Sequence, residues 1–142
     1  MNVLEKALLD TDIFSELLKG VNQRVAARAS AYHSALGCYT ISTITVLEIV
    51  KGWHKLQRED KIQHLFSEII NVEVLALELG DAQLAGRIYA DLERTGQPIG
   101  LADAMIAAIA VQKNLILISG NLSHSQRIQG LGYSLKLDNW RI

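Results

Sequence analysis

The chain has 142 residues, of which 49% are hydrophobic and 20% charged, with one proline, one cysteine and a formal charge of −1. That length suits a single domain with its own core, spanning 1–142, and the composition excludes a disordered or linker-rich protein. Cys38 alone cannot build an internal disulfide, and so small a net charge excludes a global positive field for nucleic acid, leaving room for a local basic patch.

The opening Met1-Asn2-Val3-Leu4-Glu5-Lys6 carries charges where a secretory leader is apolar, and no later apolar run approaches the ~20 residues of a membrane span. A soluble cytoplasmic protein is expected. The first strand is read at Lys6–Leu9, ending at Asp10-Thr11-Asp12, and helices are predicted over Ile13–Lys19 and Asn22–Ala35. A strand at Cys38–Ile41 leads into predicted helices over Thr43–Leu56 and Arg58–Ile70. A strand at Val72–Leu75 then precedes helices over Leu79–Arg94 and Asp103–Lys113, and strands at Leu115–Ser119 and Leu135–Leu137 close the chain. Strands alternating with helices imply an α/β fold, three layers deep (α/β/α), with a central parallel sheet of about five strands. Ligands of such sheets collect at the carboxyl ends of the strands, so the residues of interest follow strands.

Three acids stand in apolar surroundings. Asp103 opens Leu101-Ala102-Asp103-Ala104-Met105-Ile106-Ala107-Ala108-Ile109-Ala110-Val111, a helix apolar on nearly every side, where an ionised carboxylate is costly unless paired or bound to a metal. Its bland reading is a helix N-cap after Pro98-Ile99-Gly100. Asp10 ends the first strand and is read as a ligand or a turn-forming residue, whereas Asp12 is read as the cap of the first helix. Glu48 lies in Ser42-Thr43-Ile44-Thr45-Val46-Leu47-Glu48-Ile49-Val50. Thr45-x-x-Glu48 fits a capping box, yet Ser42 is an equally good cap and would put Glu48 a turn inside the helix, beside the open space left by Gly52.

Clustered carboxylates repel unless a cation neutralises them, and oxygen ligands without His or Cys spacing select Mg²⁺ or Mn²⁺ over Zn²⁺. Such an ion activates water for phosphodiester hydrolysis, and Asn121, two residues beyond the Leu115–Ser119 strand, adds a neutral ligand. His33, His54, His64 and His124 show no zinc spacing and are read as surface or packing residues. Arg24 with Arg28, and Lys51 with Lys55 and Arg58, are candidate phosphate contacts at helical spacing.

Four stretches now carry a resemblance, in order: Leu8-Leu9-Asp10-Thr11-Asp12-Ile13-Phe14-Ser15; Ile41 to Glu48 with Gly52; Gly96 to Ala108; and Leu115 to Asn121 with Arg127-Ile128 and Trp140. The chain resembles a PIN domain, and more narrowly the VapC-type toxin ribonucleases of toxin–antitoxin pairs. The resemblance implies a parallel sheet between helices, acids at Asp10, Glu48 and Asp103 binding Mg²⁺ or Mn²⁺, and endonucleolytic cleavage of RNA. It also implies a homodimer inhibited by a cognate antitoxin whose tail fills the active-site groove. The chain departs from the pattern at Asn121, where many members carry a fourth acid. It departs also at Ser119-Gly120, which removes a basic side chain near the metals, and at Ser125, where an aromatic is usual.

Two other readings compete. One is a degenerate PIN-like module that binds RNA or a protein partner without cutting. The other is a phosphatase of the haloacid-dehalogenase type, suggested by Asp10-x-Asp12 after a strand but short of the expected Thr at Phe14 and of a later Asp-Asp pair.

Overall fold

In the first strand, β1 (Ala7–Leu9), all three side chains are buried, and their alternation sends them into two different cores. Leu8 joins one apolar cluster while Ala7 and Leu9 join the other, and β4 (Ile116–Ile118) repeats the division with Leu117 against Ile116 and Ile118. A strand buried on both faces belongs to the middle layer of three. The computed structural model describes residues 4–142. Part of the opening segment read for a leader, Met1 to Val3, lies outside the described residues.

On one face lie α1 (Thr11–Lys19), α2 (Gln23–Leu36) and α4 (Glu59–Ile69), contributing Phe14, Tyr32 and Leu65 to the core around Leu9 and Ile118. On the other lie α5 (Leu79–Arg94), α6 (Leu101–Gln112) and α7 (Leu122–Gly130), which pack Ile88, Ile109 and Ile128 around Leu8 and Leu117. The helix α3 (Thr43–Lys55) supplies Ile44 to the second core and Ile49 to the first. The all-apolar sequence of α6 is explained by that position: Ala104 and the run Ile106 to Ala110 are at most 1% exposed.

The five expected strands are present and every pairing is parallel, but the hydrogen-bond ladders form two groups instead of one sheet. The order β1–β4–β5 makes the larger, with β5 at Lys136–Asp138, and β2 (Thr40–Ser42) pairs with β3 (Glu73–Leu75) in the smaller. β2 lies beside β1 without a ladder between them. At that seam the buried hydroxyl of Tyr32 accepts the Ala7 N–H at 3.0 Å and donates to the Ala7 carbonyl at 3.4 Å, so a side chain serves main-chain groups of β1. Tyr32 is wedged there by Tyr39, stacked at 6.1 Å, and Trp140 at 5.6 Å.

The local signals shift several boundaries. Asp10, not Asp12, caps α1, and the helix starts two residues before the expected Ile13. Ser42 caps α3 by accepting the Thr45 N–H at 3.3 Å, which displaces the Thr45–Glu48 box and leaves Glu48 a turn inside. Gly100 caps α6, so Asp103 sits in the first turn instead of at the cap. The helix α7 was absent from the sequence reading, because Leu122-Ser-His-Ser-Gln-Arg-Ile-Gln-Gly130 is polar and buries only Ser125 and Ile128.

Tyr32→Phe leaves a buried N–H without its acceptor and is expected to lower unfolding free energy by about 1–3 kcal/mol, read as an earlier urea midpoint with an unchanged slope.

Candidate active site

Because β1 and β4 are parallel neighbours in register Leu9 with Ile118, the residues after both strands emerge together. The Asp10 N–H donates to the Ile118 carbonyl at 2.9 Å, extending the pairing by one residue and fixing where the Asp10 side chain begins. Its Oδ1 then accepts the Thr11 N–H at 2.7 Å, and its Oδ2 accepts the Ser119 hydroxyl at 2.9 Å. Ser119 is only 1% exposed and in turn accepts the Asn121 N–H at 3.1 Å, so one buried hydroxyl joins Asp10 to the loop that presents Asn121. Asp103 arrives from the first turn of α6, its Oδ2 3.2 Å from Nδ1 of His124 on α7. Asp10, Asp103, Asn121 and His124 line one cleft of about 20 Å³, room for a single water-sized particle.

Burial pushes the Asp10 carboxyl up to about 7, with the charge of Asp12 adding to it and that of Asp103 adding less; the Thr11 and Ser119 hydrogen bonds oppose the rise. Asp12 is also raised, chiefly by burial, against the pull of Arg141 and of its hydrogen bonds to the Ile13 and Gly120 amides. The two acids are nevertheless answered differently. Asp12 Oδ2 accepts the Gly120 N–H at 3.1 Å and faces Nη1 of Arg141 at 3.5 Å, whereas Asp10 forms no ion pair among the described residues. The dipoles of α1 and α6 favour negative charge at these positions but supply only partial compensation.

Glu48 stands one step away. Its Oε1 accepts the Thr11 hydroxyl at 2.5 Å, and Thr11 Oγ1 lies 3.0 Å from that of the buried Thr45, so a short hydroxyl chain ties Glu48 to the residue after Asp10. The carboxylate lines a neighbouring groove of about 560 Å³ with Gly52, Trp53, Leu18 and Ile49. No Cβ contact would arise at Gly52, so the open space expected beside Glu48 is there.

Of the residues singled out in the sequence, Asp10, Asp103 and Asn121 thus share one cleft, while Glu48 lines the neighbouring groove and is tied to Thr11, the residue after Asp10. No three carboxylates or imidazoles among the described residues already close on one point. A hard divalent cation fits the donors: they are all oxygens, and the Asp10 carboxylate has no countercharge of its own. Two phosphate candidates are spent elsewhere, Arg28 on Asp138 at 2.7 Å and Arg58 on Asp60 at 2.8 Å. Sequence reasoning missed Thr11, Ser119, His124 and Arg141. The first two follow or precede recognised site residues, but nothing in the sequence ties Arg141 to Asp12.

A model described as PIN domain matches residues 7–127. A tRNA(fMet)-specific endonuclease VapC of Shigella flexneri is 30% identical over 127 residues, covering 89% of this chain and 94% of that protein. Among solved structures, DNA-bound VapBC from Salmonella typhimurium matches with a TM-score of 0.80 and 30% identity, over 96% of this chain and 99% of that one. VapBC-1 from nontypeable Haemophilus influenzae matches with a TM-score of 0.79 and 29% identity, over 96% and 98%.

The raised Asp10 carboxyl has a consequence for stability. Below about pH 4 the group is protonated folded or unfolded; from there up to about 7 the unfolded chain releases the proton first, so folding weakens as pH rises. In EDTA, wild type is expected to lose roughly 1–2 kcal/mol relative to Asp10→Asn between pH 5 and 7.5, the full linkage being discounted for residual solvent contact. Parallel urea curves for the two proteins would show the idea wrong.

Proposed function

This chain belongs to the PIN domain family, and on that premise we propose that it is a metal-dependent endoribonuclease, the toxin of a toxin–antitoxin pair. The observation that carries the proposal is the convergence of Asp10, Asp103 and Asn121 on a cleft for one particle, with Asp10 buried and unpaired. Similarity to the endonucleases named above supports RNA as the substrate. In this reading the nuclease fold is one domain, the family match running over residues 7–127.

In this reading Asp10, Glu48 and Asp103, with Asn121 as a neutral donor, hold Mg²⁺ or Mn²⁺. When bound, the cation supplies Lewis-acid charge to the phosphodiester and acidifies water. The protein's own work is to orient and desolvate. Ser119 and the Thr11 amide fix both oxygens of Asp10, Thr11 fixes one oxygen of Glu48, and His124 positions Asp103. Glu48 also lines the groove, where it can meet the backbone of a strand laid along it.

The groove itself supports a protein partner. Leu18, Val21, Ile49, Trp53 and Leu56 make it apolar, with Lys19, Lys61 and His64 along it. Val21, Leu47, Leu56, Phe66 and Ile70 are large hydrophobics left exposed on the first four helices or at their ends. A cognate antitoxin and a second copy of this chain are the partners these surfaces suit. The phosphatase alternative loses its support, because the second acid of Asp10-x-Asp12 is engaged by the Gly120 amide and Arg141 instead of facing the cleft.

Purified, partner-free protein is expected to cut total cellular RNA into discrete fragments with Mn²⁺ or Mg²⁺ and to stop in EDTA. Asp103→Asn should cost at least about 100-fold in rate, and His124→Ala about 10-fold, as positioning groups of metal sites do. Turnover that stays flat with every metal, alongside retained RNA affinity, would favour the non-cutting module.

A further inference from the structure

Gly120 lies between the two strand-end acids and the loop to α7, and its backbone is not in the left-handed region that calls for glycine. The demand is one of space. A Cβ built there would fall 1.9 Å from Nη1 of Arg141, 2.4 Å from its Cζ and 2.7 Å from Oδ2 of Asp12. The guanidinium therefore rests directly on the Gly120 backbone, and a side chain there would push its end out of this seat.

The seat is fixed from three sides. Nε of Arg141 donates to Oε2 of Glu16 at 2.9 Å, Nη1 faces Asp12 at 3.5 Å, and the Arg141 main-chain N–H donates to Oδ1 of Asn139 at 2.8 Å. The preceding Trp140 is 4% exposed and pins the segment against the core. These contacts engage Nε and Nη1; Nη2 has no hydrogen-bond partner among the described residues, and the side chain is about one-third exposed (34%). A pure countercharge for Asp12 and Glu16 needs neither the close approach to Gly120 nor an edge left facing out.

The surroundings give that edge a task. The chain carries a net charge of −1, and the site gathers Asp10, Asp12 and Asp103, a poor landing place for a polyanion. Arg141 is a cation held against this group by the fold, and its unpartnered Nη2 can donate a charge-assisted hydrogen bond to a phosphate. We propose that Arg141 is a substrate-binding residue of the site, its outward edge gripping a phosphate of the RNA strand, and that Gly120 is glycine to let it reach there. The inference rests on the nuclease reading for the identity of the strand.

The test measures affinity for a fluorescein-labelled single-stranded RNA of mixed sequence in Ca²⁺, with cleavage followed separately in Mn²⁺. Four proteins are compared: wild type, Arg141→Ala, the double variant Arg141→Ala with Glu16→Gln, and Arg141→Ala with Gly120→Arg. The second double variant puts a guanidinium back from the other side of the seat, where the deleted side chain leaves room once the Asp12 carboxylate end shifts aside. Thermal midpoints confirm folding, and Arg141→Lys replaces Arg141→Ala should the latter unfold. Arg141→Ala is expected to weaken binding about 10-fold and to flatten the dependence of log affinity on log salt by about 0.7, one phosphate contact on a single strand. The loss should persist when Glu16→Gln restores the net charge and should be largely recovered with Gly120→Arg. Affinity and salt slope unchanged in Arg141→Ala, or restored by Glu16→Gln, would overturn the proposal and leave Arg141 as a brace; so would a wild type without measurable RNA affinity. Cleavage separates the two readings: a wild type that binds through Arg141 but never cuts fails the nuclease and keeps the contact.

Discussion

The hydrogen bond between Ser119 and Asp10 spans the ends of two neighbouring parallel strands, and the rest of the site is arranged around it. It needs β1 and β4 in register, since a slip of one residue would turn Asp10 into one of the cores. It needs α1 to begin at once, because the Asp10 side chain also caps that helix. And it holds a carboxylate where water is scarce, raised to about 7 and without a partner ion, which is a cost the fold bears at a place where nothing structural requires an acid. A cation is the natural relief of that strain.

The acids around Asp10 are distinguished by what answers them. Asp12 has a fixed arginine and an amide, Asp103 an imidazole, Glu48 a hydroxyl, and Asp10 only hydrogen bonds. Four carboxylates in one region therefore hold different roles without any difference in residue type among the three aspartates. In an almost neutral chain, Arg141 stands against Asp12 and Lys19 and Lys61 line the groove, while Arg28 and Arg58 pair with acids elsewhere on the surface.

How much was legible follows from the range of each interaction. The apolar run around Asp103, the strand ending at Asp10 and the Ser42 cap are local patterns, enough for the α/β fold and for two acids, Asp10 and Asp103, that the fold brings to one cleft. The α7 helix was not legible, because its apolar face is little more than Ile128 and its polar face resembles a loop. The division of the strands into two ladders depends on Tyr32 meeting Ala7, 25 positions apart, and Arg141 meets Asp12 and Gly120 only through the closing of the chain. The same holds for His124: its spacing in the sequence suggests only a surface or packing residue, and its partner Asp103 is 21 positions away. The mistaken cap at Asp12 has a simpler cause: Asp10 and Asp12 are equally good caps, and the pairing of Asp10 with Ile118 decides between them.

The central claim is that Asp10 is held in readiness for a divalent cation. Calorimetric titration of Mn²⁺ into the purified protein and into Asp10→Asn at about pH 6.5, below the raised Asp10 value, addresses it without substrate or partner. The account predicts saturable binding to wild type accompanied by proton release, seen as heat that varies with buffer, and loss of both in the variant. Equal binding by the two proteins, or none by wild type, would contradict it.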